Sequence, residues 1–197
     1  MFQSDLAETF THVHPMTPQV IFLPVIGYML YQSLGISVGL AVFLFAFGVW
    51  IWSLTEYTLH RFFFHFEPRS DWQQRLHFII HGVHHDYPND SRRLVMPPVV
   101  SIPLAVFFYG LFTLLLGSSY VSPFFAGFLL GYVVYDTTHY AIHHLRLHGK
   151  IGVLLRQRHL RHHYVDPDHN FGISSPFWDV VFGTLRKKGP GQKRVRS

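Results

Sequence analysis

Apolar residues in this chain fall into four blocks rather than a uniform scatter. The first, "QVIFLPVIGYMLYQS" over residues 19–33, is short and is interrupted by Pro24. The second, "ISVGLAVFLFAFGVWIWSL", carries no charge from Ile36 to Leu54. A run of about 19 residues suffices to cross a bilayer core of about 30 Å. The third block covers Pro97–Leu116 and the fourth Pro123–Tyr135. The linkers Gly35–Ser37 and Gly117–Ser122 are short and uncharged, so the blocks pair into two helical hairpins. The pattern predicts an all-α integral membrane protein with four transmembrane helices in two hairpins. Long polar stretches leave from the opposite ends of the hairpins and predict a helical cap. Residues 1–197 read as one domain: a polar arm over 1–18, four membrane helices over 19–145 with an insert at 60–96, and a cap with a basic tail over 146–197. The arm contains a turn at "HVHPMTP" and lacks the positive start of a secretory signal.

Charge orients this arrangement. All 16 Lys and Arg lie after residue 60, and none falls between Leu94 and Leu145. Both basic regions therefore share one face of the membrane, which the positive-inside rule makes cytosolic. By parity the N-terminus is cytosolic too. The tail "RKKGPGQKRVRS" reads as a solvated end. No nucleic-acid motif accompanies the net charge of +5, and its placement beside apolar spans argues against a nucleic-acid partner. A soluble helical bundle is the rival fold. With 49% hydrophobic and 14% charged residues, it would have too little polar surface. There is no cysteine, which excludes disulfides, thiolate metal sites and thiol nucleophiles.

Histidine is the outlier, with 16 copies. His60, His65, His77, His81, His84 and His85 precede the second hairpin, and His139, His143, His144, His148, His159, His162, His163 and His169 follow it. The hairpin leaves one face and returns to it, so the two clusters can meet. His81, His84 and His85 stand at i, i+3, i+4, which one helix face can present; His159, His162 and His163 repeat that spacing. His139 and His143 stand at i, i+4. His60 and His65 are five apart, about 140° around an α-helix, so they are expected where the second membrane helix loosens before Pro68. Neutral imidazole is the commonest metal ligand. Ten are too many for one ion, and two ions at about five ligands each leave room for an outside ligand. An all-nitrogen set suits Zn, Fe, Cu or Ni. A redox pair beside a lipid-filled cavity points to oxygen activation against an unreactive C–H bond, and zinc to hydrolysis. Glu56 lies four residues before His60, and Asp136 three before His139. Each is expected to accept a ring N–H and fix its ligand's orientation.

The segments "HRFFFH", "HGVHH", "HYAIH" and "HLRHH" resemble the histidine boxes of the membrane fatty acid hydroxylase and sterol desaturase superfamily. "EYTLHRFFFHF", "IIHGVHHDYP", "RLVMPP", "GYVVYDTTHYAIHH" and "NFGISSPFWDVVFGT" are similar to motifs of its fatty acid 2-hydroxylase branch, and the likeness covers about residues 2–186. By position the resemblance implies metal ligands at His60, His65, His81, His84, His85, His139, His143, His159, His162 and His163. It sets His77 and His144 beside them, supporting a ligand or polarising substrate. It implies two metal ions, iron for activity with zinc able to replace it in a purified sample. O2 is the co-substrate. The implied reaction is hydroxylation at the alpha carbon of a long-chain fatty acid or a ceramide acyl chain drawn from membrane lipid. Some relatives carry a fused b-type cytochrome domain. Only a short polar arm precedes residue 19 here, so the electron donor is expected to be separate, a b-type cytochrome or a ferredoxin with its reductase docking on the basic face. Trp52, Tyr57, Phe62, Tyr132, Tyr135 and Tyr140 are the candidate cavity lining. "FGISSPFWDVVFGT" is either a segment closing the site or a docked tail. The membrane is a bacterial inner membrane or the endoplasmic reticulum. A sterol desaturase or carotenoid hydroxylase is the nearest alternative. A non-catalytic metal-binding protein is the more distant one, and a carrier would want ligands along a path across the bilayer.

Overall fold

The computed structural model describes residues 12–186, and every regular element among them is helical. The far end of the arm and the basic tail lie outside the described residues. Helix α1 is Thr17–Gln32, closed by a 3₁₀ turn at Ser33–Gly35. Helix α2, Val38–Thr58, runs without a break into a π-turn, Leu59–Phe64. Helix α3, Asp71–His77, continues through a second π-turn, Phe78–Gly82, into α4, Val83–Asp86. Helix α5 is Pro98–Leu116 and α6 is Ser118–His144. Helices α7, Gly149–Tyr164, and α8, Phe177–Val181, complete the order.

One expectation is corrected and one is met in part. The linker 117–122 shrinks to Gly117, whose φ of +78° lets the chain reverse at one residue, and α6 begins at Ser118. Among the described residues three helices are long and apolar enough to cross a membrane, Val38–Phe64, Pro98–Leu116 and Ser118–His144, as three of the four expected spans require. Helix α1 has 16 residues, about 24 Å at 1.5 Å per residue, which is short of the hydrocarbon thickness.

The centre of the molecule is α6, flanked by α1, α2 and α5. Its residues Val121–Leu129 are buried on every side. Glycines set the α2–α6 crossing. A Cβ on Gly48 would lie 1.9 Å from the carbonyl oxygen of Phe124, and one on Gly127 1.9 Å from that of Phe45. Two backbones thus touch directly, which is how helices associate when lipid removes the hydrophobic drive. Around this contact, Trp52 packs edge-on against Phe128 at 5.1 Å and Tyr132 at 5.3 Å, and Phe22 against Tyr132 at 5.2 Å. The crossing fixes the level at which α2 and α6 end, and so the level of their histidines.

Candidate metal centre

Four helix ends deliver the histidines. The π-turn at the end of α2 carries His60, and His65 follows it. The last turns of α6 carry His139 and His143, the α3–α4 rod His81, His84 and His85, and α7 His159, His162 and His163. The ten rings sort into two groups of five. His60, His65, His81, His85 and His162 form one; His84, His139, His143, His159 and His163 form the other. Within each group one ring nitrogen per residue lies within 4.8 Å of all the others.

Local backbone geometry explains the sorting. An α-helix would turn His60 and His65 away from each other, but a π-turn closes i to i+5, and their ring centroids are 5.1 Å apart. The i, i+3, i+4 triplets do not act as units, contrary to the expectation from spacing. His81 and His85 bring their Nε2 atoms to 2.9 Å in the first group, while His84 turns to the second, 2.8 Å from His139. The other triplet mirrors this. His159 and His163 meet at 3.0 Å in the second group, and His162 joins the first, 2.9 Å from His65. Residues i+3 and i+4 are about 100° apart on a helix, so each helix serves both groups from adjacent faces.

Hydrogen bonding does not account for this convergence. His159 Nε2 has His139, His143 and His163 nitrogens at 3.0, 2.9 and 3.0 Å. An imidazole nitrogen offers one lone pair or one N–H. His60 Nε2 is buried with no hydrogen-bond partner among the described residues. A cation at the centre of each group satisfies all of these atoms at once, so the donor set fits two metal ions. Protonation agrees with this. Burial first, then neighbouring rings, push His65 and His85 down to about 3, and burial pushes His162 down to about 4. His81, His84, His159 and His163 are lowered for the same reasons, burial foremost. At neutral pH these rings are in the uncharged, metal-binding form.

Two rings of the first group are held from behind. His60 Nδ1 lies 2.5 Å from the carbonyl oxygen of Phe171, and His162 Nδ1 2.9 Å from that of His169. A carbonyl only accepts, so each Nδ1 carries the proton and each Nε2 keeps its lone pair. The C-terminal segment therefore packs against the site rather than merely docking nearby.

Neither expected carboxylate reaches a ring. Glu56 accepts from Ile173 N at 2.7 Å, Ser174 N at 2.8 Å and Ser174 Oγ at 2.5 Å. Residues of the α7–α8 loop stand beside Glu56, and their backbone N–H groups capture the acid. Asp136 accepts from Met96 N at 3.3 Å, and His139 Nδ1 has no partner among the described residues. His77 packs on Phe66 at 5.3 Å beside an opening it shares with His65 and His85. His144 stacks on Tyr140 at 4.7 Å, with its ring 6.4 Å from that of His143.

A cavity of about 220 Å³ touches both groups through His81, His84 and His139. Its apolar wall includes Phe64, Ile79, Ile80, Val95, Met96 and Val99, and Tyr135 and Asp136 also line it. Of the aromatic residues expected to line a cavity, Tyr135 does so. Trp52 and Tyr132 line a smaller apolar pocket that shares Met96 with it. Tyr57 is buried elsewhere, its hydroxyl 2.9 Å from Thr184 Oγ1, and Phe62 is exposed on the surface under Arg61. Tyr140 covers His144 instead. The aliphatic wall was not legible because Ile79, Ile80, Val95 and Met96 stand outside the four apolar blocks, and nothing in the third block marks Val99 as facing a cavity; "IIHGVHHDYP" and "RLVMPP" were the visible signals.

The fatty acid hydroxylase family model matches residues 45–184. A dihydroceramide fatty acyl 2-hydroxylase of Arabidopsis thaliana is 40% identical over 93% of this chain and 78% of its own length. A ceramide very long chain fatty acid hydroxylase of Saccharomyces cerevisiae is 44% identical over 93% of this chain and 47% of its own. A fatty acid 2-hydroxylase of Rattus norvegicus is 36% identical over 94% of this chain and 56% of its own. A solved structure described as full-length scs7p, with only its hydroxylase domain visible, matches at a TM-score of 0.90 and 40% identity, covering 100% of this chain and 74% of that one. With the family's model spanning both histidine groups and the loop behind them, the chain belongs to the fatty acid hydroxylase family.

Proposed function

We propose that the chain is a membrane monooxygenase that hydroxylates the alpha carbon of a long acyl chain, either as a free fatty acid or within a ceramide. The observation that carries this reading is the apolar cavity walled by histidines of both five-imidazole groups. The two groups would each hold one metal ion, iron in the active enzyme. When bound, the pair would supply oxidation of an unactivated C–H bond, for which O2, two electrons and two protons come from outside, one oxygen entering the C–H bond and the other leaving as water. The protein's own part is positioning. Ile79, Ile80, Val95 and Val99 offer an apolar wall along which an extended chain gains burial without polar contacts. Holding the chain there presents one carbon to the histidine end of the cavity. Six of the ten rings are buried, which limits the access of bulk water to the reacting centre.

The arrangement in the membrane follows the same logic. Helix α1 with its 3₁₀ turn reaches about 30 Å. Its start lies beside the cap, since Val13 N donates to Arg92 O at 2.8 Å and Gln19 bonds Thr137 at 2.7 Å. Its end packs against α6 through the 3₁₀ turn. This supports α1 as the fourth span and a two-hairpin topology, with the histidine cap and the Lys and Arg on the cytosolic side. A separate donor, a b-type cytochrome or a ferredoxin with its reductase, would dock on that basic face. A bacterial inner membrane and the endoplasmic reticulum both fit this orientation.

The test is mass spectrometry of hydrolysed lipids from a host lacking 2-hydroxy fatty acids, with His143→Ala as control. An acid one oxygen heavier, hydroxylated at the alpha carbon and absent from the control, is expected. A product hydroxylated elsewhere, or none with iron, reductant and donors supplied, would reject the assignment.

A further inference from the structure

The loop behind the first histidine group is held far more firmly than a docked tail requires. Asn170, Phe171 and Ile173 are buried. Asn170 adopts a φ of +61°, a left-handed conformation that few residues other than Gly and Asn accept. Two buried carboxylates grip the loop from opposite sides. Glu56 on α2 takes the N–H groups of Ile173 and Ser174 and the Ser174 hydroxyl. Asp179 on α8 takes the N–H groups of Phe171 and Gly172, each at 2.9 Å, and the Thr184 hydroxyl at 2.8 Å. A Cβ on Gly172 would lie 2.1 Å from Ser175 O and 2.9 Å from Asp179 Oδ2, so the loop closes tightly over its anchor. The loop then turns two carbonyls, those of His169 and Phe171, onto the Nδ1 atoms of His162 and His60. Both of those rings belong to the first group. In the second group, the Nδ1 atoms of His139, His159 and His163 have no hydrogen-bond partner among the described residues.

We infer that Glu56 and Asp179 are positioning residues for one metal of the pair. Through the loop's two carbonyls they fix the tautomer and orientation of His60 and His162, so the first group is built for tight retention and the second is not. The two sites are therefore unequal, and the inequality is set by carboxylates that touch no ligand. This inference rests on the two-metal reading of the histidine groups. The chemistry of the two grips also differs. One oxygen of Glu56 meets both N–H donors and the other meets only a rotatable hydroxyl, which can turn to accept. An amide at position 56 can therefore serve. Asp179 uses both oxygens on fixed backbone N–H groups, and an amide would set its NH2 against one of them.

The experiment is zinc content. The detergent-purified chain is stripped with chelator, reloaded with Zn2+ and measured by elemental mass spectrometry, with chelator competition giving the affinity of each zinc. The unaltered chain should hold two zinc ions, and fewer would overturn the two-metal reading itself. Glu56→Ala and Asp179→Asn should weaken one zinc by about 10- to 100-fold, the size of an outer-partner loss, and leave the other in place, while Glu56→Gln keeps both. In a background lacking both rings, His60→Ala with His162→Ala, Glu56→Ala should lower zinc no further. Retention of both ions in Glu56→Ala, or loss of both together, overturns the inference. Should that variant fail to fold, Gly172→Ala decides. It displaces the loop without touching Glu56 or a ring, and one weakened zinc supports the inference while two unchanged ions reject it.

Discussion

At the residue scale, the crossed assignment of the triplets makes a sharp demand. His84 sits between His81 and His85 in sequence yet faces the second group, and His162 sits between His159 and His163 yet faces the first. His84→Ala and His143→Ala should therefore weaken the same metal, and His85→Ala and His162→Ala the other. Each loss should exceed the roughly 10- to 100-fold effect of removing an outer partner. Chelator competition on single and double variants checks this. Pairs within a group should be strongly non-additive, and pairs across groups additive. Protons compete for the same atoms. His65 and His85 are lowered to about 3 and His162 to about 4, while an unfolded chain binds protons near the ordinary 6.5. Between those values the unfolded state holds more protons than the folded one, so stability rises with pH. The metal-free chain should lose stability steadily as pH falls from about 6.5 toward about 4, and little between pH 7 and 8. Thermal unfolding in detergent at a series of pH values measures it, and a flat profile through the acid range would contradict it.

At the element scale, spacing alone picked out the histidines that the fold gathers, but not how they are shared between the two groups. The i, i+4 pairs were readable because an α-helix stacks them. His60 and His65 were readable only as a place where the helix loosens before Pro68; that the loosening is a π-turn, which brings residues five apart together, no sequence rule marks. Glu56 and Asp136 were correctly singled out as costly buried acids. Their partners were not legible, because those partners are backbone N–H groups of Ile173, Ser174 and Met96, distant in sequence. The α2–α6 crossing was equally silent, since Gly48 and Gly127 look like any glycines of an apolar span. Gly127→Ala should destabilise the chain by about 1–3 kcal/mol, the usual cost of overpacking, and shift the histidine ends of both helices. Gly110→Ala is the control, because a Cβ there meets nothing within 4 Å. Thermal unfolding of the two variants should separate them clearly; equal behaviour would mean the close backbone contact does not hold the helices in register.

At the scale of the whole molecule, the open question is how many times the chain crosses the membrane. Among the described residues length and apolarity pick out three helices, and α1, with 16 residues against 19 in the shortest of them, is less than one turn short. Its contacts argue that it crosses nonetheless. Its beginning is tied to the cap side through Val13 and Arg92, and its 3₁₀ end lies against α6. Gln19 meets Thr137 and Phe22 meets Tyr132, so α1 steps along α6 away from its histidine end, as a spanning helix would. Absence of cysteine from the whole sequence offers a direct test, since a single introduced thiol is the only one to react. Met16→Cys, Ser37→Cys and Glu67→Cys place reporters before α1, between α1 and α2, and after α2, all at exposed positions. With a membrane-impermeant maleimide on sealed vesicles of known orientation, Glu67→Cys should label from the cytosolic side and Ser37→Cys from the other. Met16→Cys decides the matter. Labelling on the side of Glu67→Cys means α1 spans and the two hairpins are complete. Labelling on the side of Ser37→Cys would make α1 an interfacial helix, leave three spans, and put the start of the chain on the membrane face opposite its histidines.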